Sequence, residues 1–312
     1  MDKNGFIKYL ESKNLVLRTI NEYVRLTELF FAKVKKEDIQ IVKPDVLKFL
    51  EYLKNKKGIQ NASRQISLFA VNHYFTYLYK AGRVAKNPCL FLKIQGVKRK
   101  MLYKIYSSEE LDQLFDTYYQ LFICNFDDSY IPENMRKRSA LGKGRNALIL
   151  SILINQGIGT NEIGKMEVGD VDLLKATIKI KGGKKLNDRT LPLKATQIGL
   201  FLNYLQNVRP QLVEYQTKES EKLFLPLPTS NKKTDNCTAC RTLAEQVKTI
   251  DKQFINFLQV RTSVISFWIK TLGLRKAQHL AGHRSISCTE KYLLNNLDGL
   301  IDDINKLHPF DF

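Results

Sequence analysis

A chain of 312 residues with 44% hydrophobic content is too apolar to be disordered and long enough for two separate cores. Its formal net charge of +19 demands a polyanionic partner, nucleic acid first and an anionic membrane surface second. No apolar run approaches the ~18 residues of a spanning helix, and Met1-Asp2-Lys3-Asn4-Gly5 opens no signal peptide. The odd count of five cysteines fits a reducing cytoplasm.

The charge is uneven: residues 1–106 carry 22 Lys+Arg against 8 Asp+Glu. A small basic unit joined to a nearly balanced larger one reads as a DNA clamp on a working domain. Its phosphate contacts should weaken with salt, by about 0.9 log unit per phosphate per tenfold rise.

In chain order, the first hundred residues predict four helices. Phe6, Tyr9 and Leu10 share one face, as do Ile20, Tyr23, Val24 and Phe31. A third helix follows Pro44, with Val46, Phe49, Leu50 and Leu53 inward and Asp45 near its positive end. A fourth carries Ile66, Phe69, Ala70, Tyr74, Phe75 and Leu78 at helical spacing and stops near Gly82. These aromatics read as core, and Lys54, Lys56, Lys57, Arg64, Lys80 and Arg83 as exposed charges available to phosphate. The unit spans 1–97, and residues 98–106, with Lys98-Arg99-Lys100, read as a basic linker.

A larger unit, 107–312, opens where Ser107 or Ser108 caps a helix with Glu109 and Glu110 in its first turn. Residues 124–144, with Arg136-Lys137-Arg138, read as a loop or insertion, and Arg145–Gln156 as a buried apolar helix. Ala176–Lys181 and Thr190–Leu193 predict a β-hairpin. Helices are expected near 195–207, 238–250, 261–272 and 274–281. The fold class is mainly α with a small β-hairpin or sheet. Cys237-Thr238-Ala239-Cys240 lacks a second pair or nearby histidines and predicts no zinc.

Near the C-terminus His283 stands nine residues before Tyr292, with Arg261 upstream on a helix. A tyrosine near cationic and hydrogen-bonding groups suits attack on a phosphate. Ser287 and Glu290 have the spacing of a capping box, which would begin a helix presenting Tyr292 on its second turn. Val260, Val264 and Ile265 predict that Arg261 is mostly buried, so it needs a partner, and a phosphate would serve. His283 after Gly282 also fits a structural helix end.

Several segments then resemble the tyrosine recombinase (phage integrase) family, in the family's order. Leu17-Arg18-Thr19-Ile20-Asn21-Glu22-Tyr23 and Val84–Pro88 are similar to its helical core-binding domain, and Ser107–Leu111 to the opening of its catalytic domain. Gly157–Ile163 and Gly169–Asp172 resemble its first catalytic box, and Ile180–Lys184 with Arg189–Leu193 its β-hairpin. Val260-Arg261-Thr262 and Leu280–Tyr292 resemble the last two boxes.

The resemblance implies a helical core-binding domain and a catalytic domain that cuts DNA through a 3′-phosphotyrosine, releasing a 5′-hydroxyl. Carried over, Tyr292 is the nucleophile, Lys181 the general acid with Lys184 as its rival, and Arg261 the ligand of the non-bridging oxygens. His283 donates a hydrogen bond to the same phosphate. No cofactor or metal is implied. The implied partners are double-stranded DNA and further copies of the chain in a tetrameric synapse, with integration or excision of a mobile element as the task. Leu297, Leu300, Ile301, Ile304 and Leu307 predict a terminal helix that folds back or docks on a neighbour.

Two positions depart from the family pattern. Gly159 stands where its first arginine belongs, and Leu258 where a histidine precedes the Arg box. One lost preorganised donor costs ~2.7–4 kcal/mol, roughly 10²–10³ in rate. A non-catalytic DNA-binding protein derived from a recombinase is therefore the alternative. If the site works, it borrows a cation from the 136–144 segment or elsewhere. Arg145 is a candidate about 15–20 Å along its helix from Gln156, and Arg275, in Gly273-Leu274-Arg275, lies too late in the chain.

Overall fold

Two hydrophobic cores organise the chain, one in each of two units, Met1–Met101 and Leu102–Phe312. The structure, a computed structural model, describes residues 1–55, 57–96, 104–183, 186–216, 219–227 and 236–293. The proposed terminal helix beyond Leu293, the linker basics Lys98–Lys100, Lys56 and Lys184 lie outside the described residues.

The first unit contains α1 (Lys3–Ser12), α2 (Leu17–Val34), α3 (Lys43–Asn55) and α4 (Asn61–Lys80). Asp2 caps α1 by accepting the Gly5 N–H at 3.0 Å. Phe6 meets Tyr74 edge-on at 5.1 Å, and Phe30 meets Phe49 at 5.1 Å. Such pairs add ~0.5–1.5 kcal/mol beyond the area they bury. The Tyr74 hydroxyl donates to Asp38 Oδ2 at 2.6 Å and accepts from the Asp2 N–H at 2.9 Å, so its burial leaves nothing unmet.

Ile66 and Phe69 differ from expectation, since both are nearly half exposed. The buried face of α4 runs through Ser67, Leu68, Ala70, Val71, Tyr74, Phe75 and Leu78. At 100° per residue Phe69 falls on the opposite side. Arg64 is not a free surface cation either, because its Nε donates to the Leu50 carbonyl at 3.1 Å.

The second unit begins at α5 (Ser108–Tyr119), where Ser107 and Glu110 form a reciprocal capping box. α6 (Glu133–Gln156) corrects the reading of 124–144 as a loop or insertion over its part from 133 to 144. Gly142 and Gly144 both sit inside the helix at close approaches. A Cβ on Gly142 would stand 2.8 Å from Leu227 Cδ1, and one on Gly144 3.1 Å from Val208 Cγ2. From Leu141 onward the helix is buried on nearly every side, as a central core helix must be.

The site is assembled around the end of α6. A single-turn helix α7 (Thr160–Ile163) leads to a three-stranded antiparallel sheet, β1 (Val171–Asp172), β2 (Thr177–Ile180) and β3 (Arg189–Pro192). β2 and β3 pair Ile178 with Leu191 and Ile180 with Arg189. Next come α8 (Ala195–Asn203), which runs on through a wide turn to Val208, and α9 (Arg209–Val213). They are followed by α10 (Asn236–Ile250), α11 (Phe257–Leu272), α12 (Leu274–Ala281) and α13 (Ile286–Glu290).

Gly157 ends α6 at φ +53°, and a Cβ there would lie 2.7 Å from Val264 Cγ1 on α11. Gly157→Ala therefore meets both a left-handed backbone and an overpacked contact. It should cost roughly 1–3 kcal/mol in denaturant unfolding, and an unchanged midpoint would contradict this packing.

Candidate active site

Asn256 starts α11 by accepting the backbone N–H groups of Leu258 and Gln259 at 2.9 and 3.2 Å. One turn on, Arg261 points inward. Its Nη1 donates to the Gly157 carbonyl at 2.7 Å and to Glu162 Oε2 at 3.3 Å, and its Nη2 to the Ala281 carbonyl at 3.0 Å. The partner that its burial requires is thus supplied within the chain. Leu258, on the first turn of α11, is 51% exposed.

Glu162 is the hub of this layer. Oε2 accepts the Gly159 N–H at 2.8 Å, and Oε1 accepts Nη1 of Arg189 at 2.8 Å. Burial alone would raise this carboxyl. The hydrogen bond and charge of Arg189, the Gly159 N–H and the charge of Arg261 outweigh burial and hold it below the usual glutamate value. Arg189 reaches Glu162 because β3 alternates, with Arg189 and Leu191 inward and Thr190 outward. Its Nε and Nη2 are buried without a hydrogen-bond partner among the described residues.

α12 ends at Gly282 with φ +72°, and the chain turns to place His283 against the layer. A Cβ on Gly282 would lie 2.7 Å from Arg189 Nη1, so the glycine makes room for that guanidinium. Leu186 bridges His283 in antiparallel fashion, and the Asn187 N–H donates to the Gly282 carbonyl at 2.8 Å. His283 Nε2 lies 3.5 Å from Arg261 Nη2, and Nδ1 lies 2.9 Å from Thr289 Oγ1. Arginine only donates, so this network assigns the lone pair to Nε2 and the proton to Nδ1.

The His283 and Tyr292 rings stack at 5.6 Å with 17° between their planes. The expected capping box of Ser287 and Glu290 is not formed. Ser285 holds the N-cap position of α13 without a side-chain capping bond, Ser287 lies inside the helix, and the two serine hydroxyls meet at 2.8 Å. Tyr292 sits on the turn after α13, its N–H donating to the Thr289 carbonyl at 2.9 Å, rather than on a second helical turn. A helix of only five residues cannot extend that far.

Arg261, His283 and Tyr292 therefore converge, and Lys181 stands apart from them. Just after β2, its Nζ pairs with Glu167 and lies 3.5 Å from Asp170 Oδ1. The hydrogen bond to Glu167, with the charges of both acids, raises its pKa. In the basic 136–144 segment, two of the cations are engaged locally. Arg136 donates to the Ile131 carbonyl, and Lys143 is drawn over the Phe126 ring. Arg145 spends its donors on the Leu225 carbonyl and Asn146 Oδ1, and Arg275 bonds Gln278. Among the described residues no cluster of three His, Cys, Asp or Glu could hold a metal.

The phage integrase family model matches residues 130–297, more than half of the chain and all of this layer. The chain belongs to the phage integrase family. As a tyrosine recombinase it is a DNA strand-transferase. Tyrosine recombinase XerC of Pelotomaculum thermopropionicum is 24% identical across 98% of this chain and 97% of its own length. XerH bound to its difH substrate before cleavage matches at TM-score 0.65 and 18% identity, over 96% of this chain and 84% of that one. A lambda integrase tetramer on a Holliday junction matches at 0.57 and 13%, over 91% and 76%. These solved structures share the fold.

Within this recombinase, sequence reasoning missed Arg189, Glu162 and Thr289. The available signal was an arginine at an inward position of a short strand, which demands a buried acid. Among the described residues no helix is long and apolar enough to cross a membrane.

Burial, then the charges of Arg261 and Arg189, lower the His283 pKa to about 4 against an opposing pull from Glu162. The imidazole is neutral at pH 7. Because the folded value lies below the unfolded one, stability should fall as pH drops from about 6.5 toward 4 and level off below. An NMR titration placing the His283 midpoint near 6.5 would contradict this burial.

Proposed function

We propose that this recombinase cuts and rejoins double-stranded DNA at specific sites through a 3′-phosphotyrosine at Tyr292, serving integration or excision of a mobile element. The observation that carries the reading is the stack of Tyr292 on a neutral His283 that itself abuts Arg261. In the forward step the Tyr292 oxygen attacks phosphorus and the bond to the 5′-oxygen breaks. The phenolic proton passes to His283 Nε2, which can then donate to the phosphate. Lys181, held as an ammonium by Glu167 and Asp170, swings from them and gives its proton to the leaving 5′-oxygen. Arg261 stabilises charge on the non-bridging oxygens, where fixed cations lower the barrier. Attack of a 5′-hydroxyl on the phosphotyrosine reverses the step and rejoins a strand.

Residues 1–97 would act as the core-binding clamp, joined through 98–106 to a catalytic domain of 107–312. Its lysine and arginine excess supports phosphate contact. A tetrameric synapse is supported by the tetramer seen for lambda integrase, and the cytoplasm by the reduced-cysteine composition.

Nicked duplexes tiling the DNA that flanks the gene for this chain should yield a covalent adduct on a denaturing gel. Tyr292→Phe should abolish the adduct while leaving binding intact. Binding without an adduct from the unmodified protein on every duplex sinks the reading. Lys181→Ala should slow cleavage by roughly 10²–10⁴ and regain most of it on a 5′-phosphorothiolate, whose leaving group needs no proton. Equal slowing on both substrates would remove Lys181 from that role.

A further inference from the structure

With Tyr292 as nucleophile, the site is one cation short, because glycine occupies position 159. We propose that Arg189 supplies that cation, reaching the phosphate site from β3 in place of a side chain at position 159. The proposal rests on the phosphotyrosine reading above.

Geometry links the two positions. A Cβ on Gly159 would stand 3.5 Å from Glu162 Oε2, while Arg189 Nη1 holds Oε1 of the same carboxylate at 2.8 Å. The root of the absent side chain and the tip of Arg189 thus meet at one group. Oε2 of that group also takes Arg261, so both arginines belong to one layer.

Hydrogen-bond capacity points the same way. The Arg189 side chain is 1% exposed, and its Nε and Nη2 have no partner among the described residues. A guanidinium stays charged, so two unmet buried donors are costly until an acceptor arrives. Glu162 neutralises one of the two arginines and His283 is neutral, which leaves the layer one positive charge. A phosphodiester anion offers the missing charge and the oxygen acceptors in a geometry that a guanidinium fork fits.

Access does not separate Arg189 from the other site residues. Arg261 and His283 are each only 7% exposed, so whatever admits a phosphate to them opens the layer that holds Arg189. The arginine also lies against Gly282, the residue next to His283.

Gly159 itself has φ −85°, which any residue adopts, so an arginine can be restored there without backbone strain. This makes a suppression test possible, using nicked duplexes on which the unmodified protein forms its adduct and reading single-turnover cleavage. Arg189→Gln should slow cleavage by about 10²–10³ with DNA binding unchanged, and Arg189→Lys, which keeps the charge but not the fork, by about tenfold. Adding Gly159→Arg to Arg189→Gln should regain at least about tenfold, while Gly159→Arg alone should change the rate by less than about threefold. Melting curves identify any variant that is unfolded. If Arg189→Gln is, Arg189→Lys carries the test, and an unchanged rate there overturns the proposal. A folded Arg189→Gln that cleaves at the unmodified rate overturns it too, as does a large gain from Gly159→Arg alone. Absence of any adduct from the unmodified protein overturns the nucleophile reading and this proposal together. An adduct with indifferent Arg189 variants overturns this one alone.

Discussion

The buried carboxylate of Glu162 is the constraint on which the site depends. It joins α7 to β3 through Arg189 and to α11 through Arg261, and it closes back on the Gly159 N–H. Two guanidinium groups so close would repel each other in a poorly hydrated layer, and the acid between them makes their approach tolerable. Removing one partner of such a buried pair typically costs ~3–5 kcal/mol, because the remaining charge is stranded. The arrangement keeps net positive charge in the layer while holding its elements together.

Two glycines let the layer close. Gly157 turns the end of α6 in a left-handed conformation, and its carbonyl accepts Arg261. Gly282 turns the end of α12 in the same way, clears space for Arg189 and pairs with the hairpin through Asn187. The hairpin is thereby tied to His283, and Arg284 adds a bond to the Gly183 carbonyl at 3.0 Å. Lys181 rides on this hairpin, so its position relative to the tyrosine end is set by the contacts that orient the histidine. The Gly159 N–H lies on the same carboxylate that these elements share.

Much of this was legible in the sequence. Period-3.6 apolar patterns located the helices, Ser107 marked the start of α5, and alternating residues marked the hairpin. The order of the family boxes pointed to Arg261, His283 and Tyr292, which the fold brings together. What escaped was long-range. Residues 133–144 read as part of a loop, because the side chains of Leu227 and Val208 that press on Gly142 and Gly144 are far away in sequence. The Ser287–Glu290 spacing matched a cap, yet the N-cap position falls two residues earlier, at Ser285. Arg189 lies in the segment that resembles the family's hairpin, where nothing adjacent in sequence marks it as buried. Only the inward parity of β3, together with Glu162 27 residues away, gives it a role.

The central claim is that Glu162 and Arg189 form one energetic unit in the layer that holds Arg261 and His283. A double-mutant cycle in equilibrium unfolding tests this directly, using Glu162→Gln, Arg189→Gln and the pair together. The account predicts that each single change costs ~3–5 kcal/mol and that the double variant is markedly more stable than their sum, by roughly 1–3 kcal/mol. Costs that simply add would mean that the two side chains are neighbours without coupling, and the carboxylate would no longer explain how the site is held.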